Sequence, residues 1–229
     1  MITSSDRIRF VKEYYFSRKL QEIAKIQNPT VINLGIGNPD LPPSETTINE
    51  LIESSGDRKS HGYQLYKGIP ELRFAFSEWY KNSYDVNLNP EKEILPLLGS
   101  KEGIVHTSLA FLNPGDEVLV PNPGYVTYTN ATRLAGAIPV TYTLNDESQW
   151  YPDFSGLGKS NLKKVKLMWV NYPHMPTGAR GNVTLFKKLI EFGRIHDILI
   201  CHDNPYSFIL NENPLSIFTT DKEIQYSIE

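Results

Sequence analysis

The chain has a single cysteine, Cys201, among its 229 residues, so no disulfide can form within it and a reducing compartment is the default reading. Cys201 stands inside an apolar run with no cation beside it, which marks a core residue rather than an activated thiol. No stretch approaches the roughly 20 consecutive apolar residues of a membrane helix, and the amino terminus has no apolar signal core. Charge of one sign is also missing. The net charge is -3 without a basic stripe, which argues against nucleic acid and anionic membranes as partners. Lys159, Lys163, Lys164 and Lys166 read as a solvated surface. The five histidines show no zinc-ligand spacing, so no metal is expected. Walker A and Rossmann spacings and a G-x-S-x-G elbow are all absent, which disfavours ATP, dinucleotides and serine hydrolysis. A soluble, cytoplasmic globular protein with a sizeable core is the plain expectation.

What is present alternates between strand and helix. Val165–Val170 is apolar and runs into the irregular Asn171-Tyr172-Pro173-His174-Met175-Pro176-Thr177-Gly178. A helix is expected from Asn182 to His196, then a second apolar strand, Ile198–Cys201, leading into His202-Asp203-Asn204-Pro205-Tyr206. Two buried strands joined by a helix form a parallel unit, so both polar exits should line one crevice at the strands' carboxyl ends. Further strands are expected at Val31–Leu34, at Leu95–Leu98, at Glu117–Val120 and over Ala137–Leu144. Helices are expected from Asp6 to Ile26, over Glu45–Glu53, from Pro70 with Leu72, Ala75, Phe76, Trp79 and Tyr80 buried, after Gly99 to Leu112, and to Ala135. Small residues at Gly99-Ser100-Lys101 leave amides at the positive end of a helix dipole, which suits a phosphate.

In this order the chain resembles the fold-type-I, pyridoxal-phosphate (PLP) aminotransferases of class I/II. The stretches that carry the resemblance are N-Y-P-x-x-P-T-G at Asn171, D-x-x-Y at Asp203, Gly37-Asn38-Pro39-Asp40, Y-x-x-x-x-G-x-x-x-L-R from Tyr63, and the Gly99 turn. The resemblance implies a three-layer α/β/α sandwich around a mostly parallel sheet, with residues 1–45 an arm and part of a small domain and 46–229 the large PLP-binding domain. It implies PLP as cofactor, an amino acid and a 2-oxo acid as substrates, and a homodimer with shared sites.

Residue by residue, the resemblance puts Asp203 at the pyridine nitrogen and Tyr206 at the 3′-oxygen. Gly99, Ser100 and Lys101 would hold the phosphate, and Tyr125 would lie against the ring, with Tyr128 a competing aromatic three residues on. Asn171 matches the first asparagine of the loop. Tyr63 would reach the cofactor phosphate of a neighbouring subunit, and Gly37 would offer its backbone to the substrate carboxylate.

Two departures stand out. The position of the second 3′-oxygen partner, an asparagine in the family, is Met175, whose thioether cannot donate a hydrogen bond. The Schiff-base lysine lies further along than Glu229, and Lys222 lacks its serine-flanked pattern. These residues are thus expected to be the amino-terminal half to two-thirds of an aminotransferase, inactive alone. A different fold-type-I reaction (decarboxylation or elimination) and a non-catalytic PLP- or ligand-binding module are the other readings.

Overall fold

The computed structural model describes residues 2–10, 15–26, 30–35, 37, 39–220 and 225–229. The chain divides into two compact units, residues 11–66 and residues 1–10 with 67–229. Cys201, expected in the core, is buried there, and burial pushes its thiol well above the ordinary range.

The smaller unit holds helices α1 (Tyr15–Ala24) and α2 (Glu45–Gly56) and a 3-10 turn, Arg58–His61. The Ser44 hydroxyl caps α2 by accepting from the Thr47 N–H at 3.3 Å. Neither helix buries a side chain. The single helix expected from Asp6 to Ile26 is instead a 3-10 segment, Asp6–Phe10, and α1, with residues 11–14 outside the described residues. Residues 31–34, expected as a strand, are irregular and pair with no strand among the described residues.

The larger unit is built on five parallel strands: β1 (Glu117–Asn122), β2 (Ile138–Thr143), β3 (Val165–Asn171), β4 (Leu199–Asp203) and β5 (Ser227–Ile228), in the spatial order β2-β1-β3-β4-β5. The helices are α3 (Pro70–Tyr84), α4 (Ser100–Phe111), α5 (Val126–Leu134), α6 (Phe154–Gly158) and α7 (Val183–His196).

Side-chain alternation sorts the sheet into two buried faces. Leu167 and Trp169 of β3 join Val118, Val120, Cys201 and the α4 and α5 residues Ile104, Tyr128 and Ala131. Met168 and Val170 face the other way, onto Leu185, Phe186, Leu189 and Phe192 of α7. The result is the three-layer α/β/α arrangement. Helix α7 lies close because Gly193 has no side chain: a Cβ there would sit 2.6 Å from the Ile198 carbonyl.

Two expectations in this unit fail for physical reasons. Residues 95–98 are irregular, since Pro96 has no N–H to give to a ladder. On α3, Leu72, Ala75, Phe76 and Trp79 are exposed, and the buried residues are Arg73 and Tyr84. Arg73, 3% exposed, donates to the carbonyls of Pro90 (2.8 Å) and Gly68 (2.5 Å) and to the Glu91 carboxylate (2.7 Å). It ties the turn before α3 to the loop after it.

A buried contact between an imidazole and a carboxylate locks the far edge of the sheet. His202 Nδ1 and Glu229 Oε2 lie 2.7 Å apart, with side chains 0% and 3% exposed. The same oxygen accepts from the Ile217 N–H at 2.9 Å, and the Tyr80 hydroxyl donates to Oε1 at 3.2 Å. The other imidazole nitrogen, Nε2, stands 3.0 Å from the Tyr172 carbonyl oxygen.

Two predictions follow from these contacts. Arg73→Met should cost about 2 kcal/mol in urea unfolding, since charged hydrogen bonds to otherwise unsatisfied carbonyls are lost. Glu229→Gln should cost about 2 kcal/mol, because the buried carboxylate that His202, the Ile217 amide and the Tyr80 hydroxyl all meet is replaced by a weaker acceptor. Burial pushes the Glu229 carboxyl up, but His202, with the Ile217 amide and the Ser216 hydroxyl, holds it below the ordinary range. Its contribution is therefore present above the ordinary glutamate pKa and lost as pH falls through the lower folded value. Urea midpoints measured from neutral to acid pH should show that loss in the natural chain and not in the variant.

Candidate functional site

The strand order places a switch point between β1 and β3, since the chain leaves β1 to form β2 on one side and returns to add β3 on the other. Open parallel sheets bind ligands outside the carboxyl ends of strands at such a point. Tyr125 follows β1, the Asn171 loop follows β3, and Asp203 ends β4.

Asn171 and Asp203 are register partners across β3 and β4. The Asn171 side chain, 3% exposed, spends its amide on main chain at both ends. Its Nδ2 donates to the Asp203 carbonyl at 2.7 Å, and its Oδ1 accepts from the Met175 N–H at 2.7 Å. The two polar exits expected to share a crevice are thus joined by one side chain. Within the loop, His174 Nδ1 lies 2.8 Å from the Thr177 hydroxyl, and burial lowers the imidazole's pKa.

The Asp203 side chain points away from His202, toward α5. Its Oδ2 accepts a hydrogen bond from the Tyr128 hydroxyl at 2.7 Å, and Oδ1 has no partner among the described residues. Burial raises the carboxyl's pKa, with the Tyr128 hydrogen bond and the His202 charge pulling the other way. Tyr128 is fully buried. Its ring lies parallel to the Trp169 indole (3°, centroids 5.1 Å apart), and the half-buried Tyr125 meets it edge-on at 5.7 Å.

From Tyr125 the contacts run on to α4, where Lys101 Nζ stands 6.0 Å from the ring centroid. The helix begins at Gly99, whose φ of 97° suits glycine and which offers no side-chain cap. The Glu102 carboxylate bends back to accept from the Leu98 N–H, so one amide near this terminus is already engaged. Beside it a cavity of about 490 Å3 opens between Gly99, Ser100, Phe76, Leu95 and Phe218.

One continuous line of contacts therefore joins Lys101, Tyr125, Tyr128, Asp203 and Asn171, with Gly99 and Ser100 next to Lys101 at the helix start. Tyr206 lies in the turn after β4 and is 36% exposed. Gly37 and Tyr63 belong to the smaller unit, where the Tyr63 side chain is almost fully exposed. Lys222 lies outside the described residues. The Tyr128–Asp203 bond was not foreseen, because 75 residues separate the partners. The only signal for it was a second tyrosine one helical turn past the first.

This arrangement has the acceptor and the donors that a ring bearing a protonated nitrogen and an anionic tail requires. A part-buried carboxylate with one open oxygen stands at one end, a glycine-started helix terminus at the other, and an aromatic face along the line between them.

A family model described as Aminotransferase class I and II matches residues 29–225. An LL-diaminopimelate aminotransferase of Dehalococcoides mccartyi is 40% identical over 98% of this chain and 59% of its own length. The LL-diaminopimelate aminotransferase of Aquifex aeolicus is 38% identical over the whole of this chain and 60% of its own. Among solved structures, substrate-bound BacF from Bacillus subtilis superposes with a TM-score of 0.89 at 33% identity, covering 99% of this chain and 58% of that one. The aspartate aminotransferase of Thermus thermophilus with maleate gives 0.90 at 25% identity, covering 99% and 59%. The chain spans about 59% of the length of the curated relatives it matches. From residue 29 to 225 the sequence and the fold point the same way, and the chain belongs to the class I and II aminotransferases.

Proposed function

We propose that this chain forms the cofactor-cradling part of a PLP-dependent aminotransferase that moves an amino group from an amino acid to a 2-oxo acid. The family is PLP-dependent, and relatives named for LL-diaminopimelate and a structural neighbour named for aspartate support an amino donor of that kind. A cytoplasmic homodimer with shared sites, and a division into an arm over 1–45 and a large domain over 46–229, belong to the same reading.

The observation that carries it is the Asp203 carboxylate, held at the end of β4 with one oxygen bonded and one open, and linked through two tyrosines to the start of α4. When bound, PLP supplies an electron sink for the carbanion formed at the substrate's α-carbon. The chain's residues supply the rest. Ionised Asp203 holds a proton on the ring nitrogen through its open oxygen. The Gly99-Ser100-Lys101 amides hold the phosphate at the helix terminus, assisted by the Lys101 charge.

Tyr125 would cover a face of the ring, and Tyr206 would donate to the 3′-oxygen. Met175 leaves the second donor position empty, and Asn171, which the resemblance puts among the cofactor-binding residues, holds Asp203 and the loop together. Gly37 receives the substrate carboxylate, and Tyr63 serves the phosphate of a partner subunit.

PLP titrated into the chain, followed by absorbance and by quenching of tryptophan fluorescence, tests the reading. Asp203→Ala should weaken binding about tenfold, the worth of one charge-assisted hydrogen bond. Equal affinity in the two proteins would remove the aspartate from the site. Since the pairing needs ionised Asp203 and burial raises its pKa, affinity should also fall as pH drops through that raised value.

The ligand-free chain should behave in the opposite sense. A carboxyl whose folded pKa is raised adds stability below its unfolded pKa and loses it as pH rises through the folded value. Asp203→Asn should therefore raise the melting temperature at neutral pH by a few degrees while weakening PLP binding, as differential scanning fluorimetry would register.

A further inference from the structure

We propose that Tyr128 is the positioning residue of Asp203: its hydroxyl holds Oδ2 so that Oδ1 alone faces the ligand, and it keeps the carboxyl ionised in a buried place. The consequence for cofactor binding rests on the proposed function. The coupling between the two side chains does not.

Packing alone accounts for an aromatic ring at this position. Tyr128 lies on the buried side of α5 with Ala131 and Thr132, and its ring is stacked on the Trp169 indole with the Tyr125 ring nearly perpendicular to it. Phenylalanine would satisfy every one of those contacts. The hydroxyl is what packing leaves unexplained. In a buried site an unpartnered phenol is costly, and this one is aimed at a carboxylate oxygen 2.7 Å away on a strand 75 residues further along the chain.

The ring cannot turn without breaking the stack on Trp169, so the donor's direction is fixed by the fold. Burial and the neighbouring Asp203 charge push the phenol far above its ordinary range, so it stays a donor at every pH the protein meets. A hydrogen bond to the charged form of a carboxyl favours that form, which offsets part of the burial penalty on Asp203. The titratable groups acting on Asp203 are Tyr128 from α5 and His202 from its own strand. The β3 neighbour, Asn171, does not titrate and touches only the Asp203 main chain. Removing the Tyr128 hydroxyl leaves His202 as the one stabilising influence.

The test labels the aspartates of the full chain with 13C at the carboxyl, assigns Asp203 by its absence in Asp203→Asn, and follows its shift with pH without any cofactor. In Tyr128→Phe, which keeps the ring and its stacking, the Asp203 carboxyl should titrate at higher pH than in the natural chain. A role in packing alone would leave that midpoint where it was, and an unmoved midpoint overturns the proposal. PLP titrated into the same variant should bind about tenfold more weakly, with the pH profile of affinity displaced to the alkaline side.

If the natural chain fails to bind PLP while Tyr128→Phe still moves the Asp203 midpoint, the cofactor reading falls and the coupling stands. Should Tyr128→Phe fail to fold, 3-fluorotyrosine placed at position 128 serves instead. Its 19F signal should follow the Asp203 titration, and a signal flat through that range overturns the proposal.

Discussion

The amide of Asn171 is the joint on which the carboxyl end of the sheet depends. Hydrogen bonds from one buried side chain to the Asp203 carbonyl and from the Met175 N–H fix the last residue of β4 against the loop that leaves β3. Main-chain ladders align strands but stop where the strands stop. Beyond that point, separation of the loops is prevented only by side chains, and an amide that donates and accepts at once suits the task. His202 adds a second tie through the Tyr172 carbonyl, so the loop is held at its beginning and at its middle.

Among the described residues near this end of the sheet, the Glu229 carboxylate and the part-buried Asp203 carboxylate are treated differently. Glu229 meets an imidazole, a backbone amide and a phenol, and its ionisation is settled by that company. Asp203 has a phenol on one oxygen and nothing among the described residues on the other. Fully paired buried charges are structural fixtures. A part-buried carboxyl left half-satisfied has a free energy that a ligand can lower, and perturbed groups of this kind concentrate at functional sites.

Much of this was legible in the sequence wherever period and punctuation agreed. The apolar run of β3, the asparagine before α7, the prolines and glycine of the loop and the glycine opening α4 all signal their elements locally. The reading failed where the outcome depends on partners distant in sequence. Leu95–Leu98 is apolar enough for a strand, yet Pro96 denies it a ladder. The apolar spacing on α3 is helical, and the helix forms, but the face it buries is that of Arg73 and Tyr84. Tyr125 could be singled out only through the family resemblance, and the hydroxyl of Tyr128 gains its meaning only when β4 folds against α5. Periodicity can say which way a side chain leans, and it carries no information about a polar atom's partner across the molecule.

The alternation of β3 carries a last consequence. Trp169 and Met168 lie on opposite faces, and two residues beyond Trp169 the same alternation delivers the Asn171 amide to its partners. Deleting or inserting a single residue between Val165 and Met168 would turn the indole and the amide over together. The evolutionary record of such a strand should therefore tolerate exchange of one side chain for another far more readily than any change in its length.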